Sequence, residues 1–139
     1  MSECIFCKIV AGEIPATIIY NDDDVLAFMD IGPVIKGHVL VIPKNHYDPI
    51  MNTPDEVVSK LYVVAKRIAQ AEMNGLDADG VNIIQNNGDA AGQEVPHIHV
   101  HVIPRFNNDG HHWNWNAKRY ESAEEMNELA KKLLKQVSS

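Results

Sequence analysis

The sequence has little cysteine, an excess of acidic over basic residues and no long apolar run. No apolar stretch approaches the roughly 20 residues that a membrane-spanning helix needs, and the first four residues do not resemble a signal peptide. We therefore expect a cytoplasmic protein without a membrane segment. The 12 basic and 19 acidic residues give a formal charge of −7, which repels phosphate backbones. General nucleic-acid binding is not expected, although a single nucleotide can still bind in a local pocket.

The only two cysteines are Cys4 and Cys7. In a reducing compartment this spacing indicates a metal site or a redox pair rather than a structural disulfide. Two free thiols in a buried N-terminal segment are the alternative. The 139 residues contain 45% hydrophobic residues, with no repeat and no linker, which predicts a single domain over residues 1–139.

Histidine is concentrated in one segment, where imidazole and aliphatic side chains alternate from His97 to Val102. Such alternation is typical of a β-strand, in which successive side chains point to opposite faces. His97, His99 and His101 are therefore predicted on one face, about 6.6 Å apart along the strand. An ordinary amphipathic strand would carry Thr, Lys, Ser or Glu there, so we expect a chemical role for the imidazoles.

The remaining pattern predicts a sheet flanked by helices. Strands are predicted at residues 17–20, 25–29, 38–42 and 80–85. A helix is predicted from Thr53 as N-cap, with Pro54 in its first position, to about residues 74–75. A capping box at Ser122–Glu125 begins a final amphipathic helix. The short turns predict an α+β fold, with an antiparallel sheet of about five strands and two main helices.

Two kinds of chemistry are open to the histidine strand. The imidazoles can bind a metal, or one of them can act as a nucleophile or base while its neighbours orient it. A structural zinc site commonly has two Cys and two His ligands. His46 and His97 are the best candidates to complete a site with the two cysteines.

If His97 binds zinc, His99 is the central imidazole that is free to act. Its attack on phosphorus would form a phosphohistidine link and divide one displacement into two steps. Asn86, Gln93 and the backbone N–H groups of residues 92–95 precede the strand. They are candidates to hold the phosphate oxygens.

These residues form a recognisable motif. The sequence Asn86-x4-Ala91-Gly92-Gln93-x-Val95-x-His97-Ile98-His99-Val100-His101-Val102-Ile103-Pro104 resembles the signature of the histidine-triad (HIT) family. The likeness extends to Ile5-Phe6, residues 13–16, 26–30 and 37–46, so that it covers about residues 4–105. It looks like the Hint-like branch and its zinc-containing bacterial members. Residues 106–139 correspond to a part that varies within the branch.

The resemblance implies a homodimer whose sheets join across the interface, and cleavage or transfer of nucleotides at the α-phosphate. It implies that His99 is the nucleophile that becomes nucleotidylated, that His101 is its supporting neighbour, and that His38 supports the other two from the third strand. The other implied roles are ribose binding by Asp30, base contacts by Phe28 and Ile31, phosphate contacts by Asn86 and Gln93, and zinc binding by Cys4, Cys7, His46 and His97.

One position departs from the family pattern. Glu94 stands where well-studied members carry a small hydroxyl that donates to the phosphate. An ionised carboxylate cannot donate a hydrogen bond and repels phosphate. Glu94 therefore either points away or favours a cationic leaving group such as an amine.

Our interpretation is a hydrolase or transferase that acts on purine nucleoside phosphoramidates or related nucleotides and contains a structural zinc ion. The alternatives are a nucleotide-binding regulatory module with negligible turnover, and a hydrolase whose zinc is held by the triad. We interpret residues 111–115 as a surface or dimer-edge loop, or else as one whose tryptophans reach a nucleotide pocket. Arg105 is interpreted as a solvated strand end, with phosphate pairing as the alternative.

Overall fold

The computed structural model describes residues 3–137 and contains one antiparallel sheet. Its strands in chain order are β1 (Ile18–Asn21), β2 (Val25–Met29), β3 (Val39–Pro43), β4 (Gly80–Gln85) and β5 (Val100–Arg105). Across the sheet the order is β1-β2-β3-β5-β4, so β1 and β4 are the edges. The predicted five-stranded antiparallel sheet is confirmed, and the ends of the predicted domain at residues 1–2 and 138–139 lie outside the described residues.

Within residues 3–137, three α-helices accompany the sheet: α1 (Ile5–Val10), α2 (Asp55–Gly75) and α3 (Ala123–Val137). The two long helices confirm the prediction, whereas α1 was not predicted. At α3 the Ser122 hydroxyl accepts the N–H of Glu125 at 3.1 Å, as the capping box requires. Among the described residues, no helix is both long and apolar enough to cross a membrane.

The start of α2 differs from the prediction that Thr53 is its N-cap. Pro54 occupies the cap position, and no side chain caps the helix. The Thr53 hydroxyl instead donates to the carbonyl of Pro49 at 2.9 Å, across a 3-10 turn at Ile50–Asn52. The Thr53 hydroxyl therefore bonds to the preceding turn and is not available to cap α2.

The histidine strand also begins later than predicted, at Val100 rather than at His97. Pro96 has no N–H to donate to a neighbouring strand. The N–H of Ile98 donates to the carbonyl of Tyr47 at 2.8 Å, so this part of the chain bonds to a loop. The side-chain alternation nevertheless holds, because Ile98, Val100 and Val102 all pack in one apolar cluster with residues of α2.

The sheet buries a different apolar cluster on each face. Helix α2 covers one face, where Val100 and Val102 pack with Leu61 and Ile68. The opposite face carries a cluster of Phe6, Leu26, Phe28, Leu40 and Ile42. Leu40 is paired with both Phe28 and His101, and directly paired residues share a face. The histidines therefore project from the face opposite α2.

The apolar stripe of α3 is not covered by the described part of its own chain. No residue of α3 is buried. Leu133 and Val137 are 65% and 78% exposed. The stripe predicted from the sequence is therefore an exposed apolar surface in the single chain.

Glu72 lies on the buried face of α2 and is only 3% exposed. Neither of its carboxyl oxygens has a hydrogen-bond partner among the described residues. Burial raises the pKa of Glu72 from 4.5 to about 8, because the ionised form loses its hydration. The folded protein therefore binds more protons than the unfolded chain between these values, and its stability falls as the pH rises through that window.

We predict that Glu72→Gln removes this pH dependence, because an amide stays neutral throughout. The variant should be more stable than the wild type by about 3 kcal/mol at pH 7. Urea unfolding at pH 5, 6, 7 and 8 measures the difference, with Glu13→Gln at an exposed position as the control. Parallel pH profiles for wild type and Glu72→Gln would contradict the prediction.

Candidate active site and metal centre

His99 lies at the centre of the site and is 6% exposed. Its Nδ1 is 2.7 Å from the carbonyl oxygen of His97. Because a carbonyl oxygen only accepts hydrogen bonds, Nδ1 carries the proton in the neutral ring and Nε2 carries the lone pair. This tautomer leaves Nε2 as a nitrogen that can attack an electrophile.

His38 and His101 form an ordered hydrogen-bonded pair beside His99. The N–H of Val34 donates to His38 Nδ1 at 3.1 Å, which places the proton of the neutral His38 ring on Nε2. That N–H donates to His101 Nδ1 at 2.9 Å. His101 therefore keeps its own proton on Nε2, and the rings of His99 and His101 meet edge to face at 4.9 Å.

The pKa values of this pair keep both rings neutral at pH 7. Burial lowers the pKa of His38, against the opposing effect of the Asp30 carboxylate. Burial and the neighbouring imidazoles of His99 and His38 lower the pKa of His101 to about 4. Both residues are therefore available as neutral donors and acceptors rather than as cations.

Asp30 follows β2 directly and borders the pair. Its Oδ2 is 3.6 Å from His38 Nε2, too long for a hydrogen bond, while its Oδ1 accepts the N–H of Gly32 at 2.8 Å. Possible metal-ligand atoms of Asp30, His38 and His101 lie within 4.8 Å of one another. However, the hydrogen bonds described above already use the Nδ1 lone pairs of both histidines. The geometry therefore disfavours the alternative in which the triad holds zinc.

A second cluster brings together Cys4, Cys7, His46 and His97, as the sequence predicted for a metal site. His97 Nδ1 lies 3.4 Å from Cys4 Sγ, 3.6 Å from Cys7 Sγ and 3.2 Å from His46 Nδ1. Zinc–ligand bond lengths in a tetrahedral site separate neighbouring ligand atoms by about 3.3–3.8 Å. The spacing of the four side chains therefore fits a tetrahedral metal ion.

The protonation of the cluster fits a metal as well. His97 Nε2 is 2.9 Å from the carbonyl of Pro43, so Nε2–H donates to it and the Nδ1 lone pair faces the thiols. Burial raises the pKa of the Cys4 thiol, and a bound dication would favour the thiolate instead. His97 is fully buried, whereas His46 is exposed, so the centre lies at the edge of the protein.

The residues expected around the base are only partly brought together. Phe28 is buried on the histidine face and meets Phe6 edge to face at 5.7 Å. Ile31, by contrast, is 99% exposed. A base pocket that includes Ile31 would form only when a ligand covers that side chain.

The loop before the histidines assigns different roles to the two predicted phosphate contacts. The side-chain amide of Asn86 makes no hydrogen bond with the described residues, so it is free to meet a ligand. Gln93 donates to Asp48 Oδ1 at 2.6 Å and to the carbonyl of Val95 at 2.9 Å, and accepts the N–H of Gly88 at 2.7 Å. In this arrangement Gln93 has no N–H left for phosphate. It fixes the loop instead.

Arg105 ends β5 with a side chain that is only 21% exposed, and most of its guanidinium N–H groups are engaged within the chain, so it is not a simple solvated strand end. Its guanidinium forms a two-point ion pair with Asp109 at 2.8 and 3.0 Å. It also donates to Asn82 Oδ1, which in turn accepts the Trp113 indole N–H at 2.8 Å. The pair holds the pKa of the Asp109 carboxyl well below its usual range. Trp115 is 90% exposed, in agreement with a surface loop.

Glu94 is exposed and lines an open cavity together with two other acidic residues, Glu3 and Asp48. The same cavity reaches Cys4 and His46. The position of Glu94 is therefore beside the metal cluster.

Gly37 is the residue directly before His38. Its φ of +105° lies in the left-handed region, and a Cβ atom there would be 2.8 Å from Leu76 Cδ1 and 3.0 Å from Pro104 Cγ. A side chain at this position would have to move the Leu76 side chain and would press on the Pro104 ring, in a backbone conformation that disfavours residues other than glycine. The backbone segment that carries His38 is therefore restricted to glycine at residue 37.

Sequence reasoning missed the residues that orient the histidines through their backbones. Val34 and Pro43 act through N–H and carbonyl groups, for which side-chain patterns give no signal. Phe6 was noted only as part of a resemblance. Its position between the two cysteines was the available signal that it would lie next to the histidines.

Comparison with known proteins gives consistent matches. A model of the HIT domain matches residues 11–108. Protein hit of Bacillus subtilis is 40% identical over 139 residues, 98% of this chain and 95% of that protein. An adenosine 5′-monophosphoramidase of Candida albicans is 40% identical over 108 residues, 75% of this chain and 71% of that protein. An adenylylsulfatase of Arabidopsis thaliana is 41% identical over 108 residues, 78% of this chain and 55% of that protein.

Solved structures resemble the fold closely. A HIT family member from Bacillus subtilis has a TM-score of 0.91 at 39% identity, covering 99% of both chains. A zinc-bound histidine triad family protein from Mycobacterium smegmatis has a TM-score of 0.75 at 44% identity, covering 98% of this chain and 96% of that one.

Proposed function

Because the chain belongs to the HIT family, we propose that it is a nucleotide hydrolase or transferase that acts at the α-phosphate of purine nucleoside phosphoramidates or related nucleotides. The supporting observation is the lone pair on His99 Nε2, next to the ordered pair of His101 and His38. The activities named for the Candida and Arabidopsis relatives support this class of substrate.

In the first proposed step, His99 Nε2 attacks the α-phosphorus and a P–N bond to the enzyme forms. The bond to the leaving group breaks, and a leaving amine departs with the electron pair and takes a proton from solvent. The ring of His99 becomes cationic, and its Nδ1–H bond to the His97 carbonyl strengthens as the charge develops. Water then cleaves the nucleotidyl-histidine and restores the neutral ring.

Other residues hold the nucleotide during both steps. His101 Nε2–H is the proposed donor to an α-phosphate oxygen, and His38 keeps that proton in place through Nδ1 of His101. Asp30 has a free Oδ2 for the ribose hydroxyls, and Asn86 has a free amide for phosphate. Phe28 and Ile31 are proposed contacts of the base. Gln93 contributes by fixing the loop that carries the backbone N–H groups near the phosphate.

We predict a covalent adduct on His99. After brief exposure to an adenosine 5′-phosphoramidate, intact-protein mass spectrometry should show a nucleotidyl adduct on the wild type and none on His99→Gly. Turnover should fall by at least about 10³-fold in the variant, because the two-step route is lost. His112→Gly, at an exposed position outside the site, is the control.

An adduct that persists on His99→Gly would place the nucleophile elsewhere. Neither adduct nor turnover in the wild type would favour the nucleotide-binding module instead. In that case the same nucleotide should still bind, and Asp30→Ala should weaken the binding.

We also propose that Cys4, Cys7, His46 and His97 hold a structural zinc ion. When bound, such an ion supplies a cross-link between the N-terminal helix and the histidine segment rather than a reaction centre. The fit of the four side chains and the zinc-bound Mycobacterium neighbour support this proposal.

We predict that one zinc ion per chain binds, and that Cys7→Ser abolishes high-affinity binding. Metal removal with a chelator should lower the thermal midpoint by several degrees, since the bound ion stabilises the folded state. Elemental analysis and calorimetry measure the two effects. Equal midpoints with and without metal, or full zinc retention in Cys7→Ser, would contradict the assignment.

A homodimer joined through β4 is a further proposal from the family. Strand β4 is a sheet edge, and an apolar groove beside it includes Met73 and Ile83, which are 42% and 43% exposed. An uncovered edge of this kind is suited to pairing with a second sheet. The exposed stripe of α3 offers additional apolar surface for the same partner.

We predict that Ile83→Glu converts the dimer into a monomer, because it places a charge in the interface. Light scattering coupled to size exclusion gives the mass of each form, with Ile19→Glu on the opposite half of the sheet as the control. A dimeric Ile83→Glu variant, or a monomeric wild type, would contradict the proposed interface. The cytoplasmic location and the absence of nucleic-acid and membrane partners stay predictions.

A further inference from the structure

Phe6 connects the two clusters of the site. It is 6% exposed and lies in α1, between the two cysteines. Its ring meets His99 edge to face, with a centroid distance of 5.1 Å and an interplanar angle of 80°. It meets His97 in the same manner, at 5.7 Å and 80°. One aromatic side chain therefore contacts both the candidate nucleophile and a candidate metal ligand.

Helix α1 cannot hold Phe6 in place by its own stability. It has six residues, far fewer than an isolated helix needs in water. Its N-terminus is capped by the Cys4 thiol, which accepts the N–H of Cys7 at 3.5 Å. The attachment of α1 to the sheet therefore depends on side-chain packing, chiefly of the buried Phe6 with partial support from Ile9 and Val10, and on the contacts of the two thiols with His97 and His46.

His97 connects the same two clusters through its backbone. Its ring presents Nδ1 to the thiols, and its carbonyl oxygen accepts the Nδ1–H of His99 at 2.7 Å. Two constraints on the His99 ring thus come from the metal cluster. The Phe6 ring edge limits rotation of the imidazole, and the His97 carbonyl selects its tautomer.

We propose that Phe6 is a positioning residue for His99, and that metal loading of the Cys4–Cys7–His46–His97 cluster fixes the orientation of the His99 imidazole through Phe6 and the His97 carbonyl. The catalytic significance of this inference rests on the proposed function. Its structural content, one orientation and one tautomer of His99, can be observed without substrate. The metal ion then has a role beyond stability, although it touches no reacting atom.

The test uses ¹⁵N-histidine-labelled full-length protein at one fixed pH. Long-range ¹H–¹⁵N spectra report which ring nitrogen of His99 carries the proton and whether the ring has one environment or several. Zinc-loaded wild type should show a single Nδ1–H form. Loaded Phe6→Leu, which loses the ring contact, and chelator-treated wild type, in which both constraints are loosened, should both show a mixture. Chelator should increase the mixture in Phe6→Leu further, because the position of the His97 carbonyl is then no longer fixed either.

Two variants separate positioning from general damage. Phe6→Tyr retains the ring and should retain the single form of His99. Leu26→Ala removes volume from the same apolar cluster at a position paired with Ile42 rather than with a histidine, so it should lower the thermal midpoint while leaving the His99 signals unchanged. A single Nδ1–H form in loaded Phe6→Leu, or in metal-free wild type that is still folded, would overturn the proposal. Mixed forms in Leu26→Ala would overturn it as well.

The kinetic consequence is measured separately. In Phe6→Leu we expect kcat to fall by about tenfold, with a smaller change in KM, because a misoriented nucleophile affects the chemical step more than binding. If the His99 signals respond as expected while the wild type forms no nucleotidyl adduct, the proposed function fails and the positioning inference stands. If the adduct forms but the signals do not respond to Phe6 or to metal, the positioning inference alone fails.

Discussion

Backbone groups decide which nitrogen of each buried imidazole carries its proton, and the chemistry of the site depends on that choice. The carbonyls of Pro43 and His97 hold protons on His97 Nε2 and His99 Nδ1, and the N–H of Val34 occupies Nδ1 of His38. Each bond leaves the opposite nitrogen free for a metal, a phosphate or a neighbouring ring. Burial strengthens the selection, because the wrong tautomer would leave two polar groups unpaired in a medium of low dielectric constant.

Much of the fold follows from local patterns in the sequence. Strands β2 and β4 have the predicted bounds, since turn residues enclose a short apolar run in each case. The start of β5 could not be predicted in this way, because alternation fixes side-chain directions and not backbone partners. Tyr47 is the partner of Ile98, and the two are far apart in sequence. Helix α1 is too short to show a period, and its stability comes from contacts outside itself.

The site was predictable to the extent that its residue types are rare and specific. Cysteines and histidines predicted which four possible metal ligands lie together, although Cys4 and His97 are 93 residues apart and only the fold brings them together. Abundant polar residues were harder to assign. Arg105 and Gln93 looked available for phosphate, but each has its donors engaged by a carboxylate and other groups of the same chain. Which partner such a polar side chain bonds to depends on the packing of the whole fold, which local sequence patterns do not show.

Gly37 shows how little freedom the segment before His38 has for redesign. Its missing side chain leaves space for the side chains of Leu76, just after α2, and of Pro104 in β5, beside the segment that carries His38. A substitution at this position would have to overcome both the positive φ and these two contacts. New specificity has to be built on the open side of the site, around Ile31 and Asn86, where side chains meet solvent or are free of internal bonds. The segment before His38 is therefore constrained by packing, whereas the surface around Ile31 and Asn86 can accept substitutions.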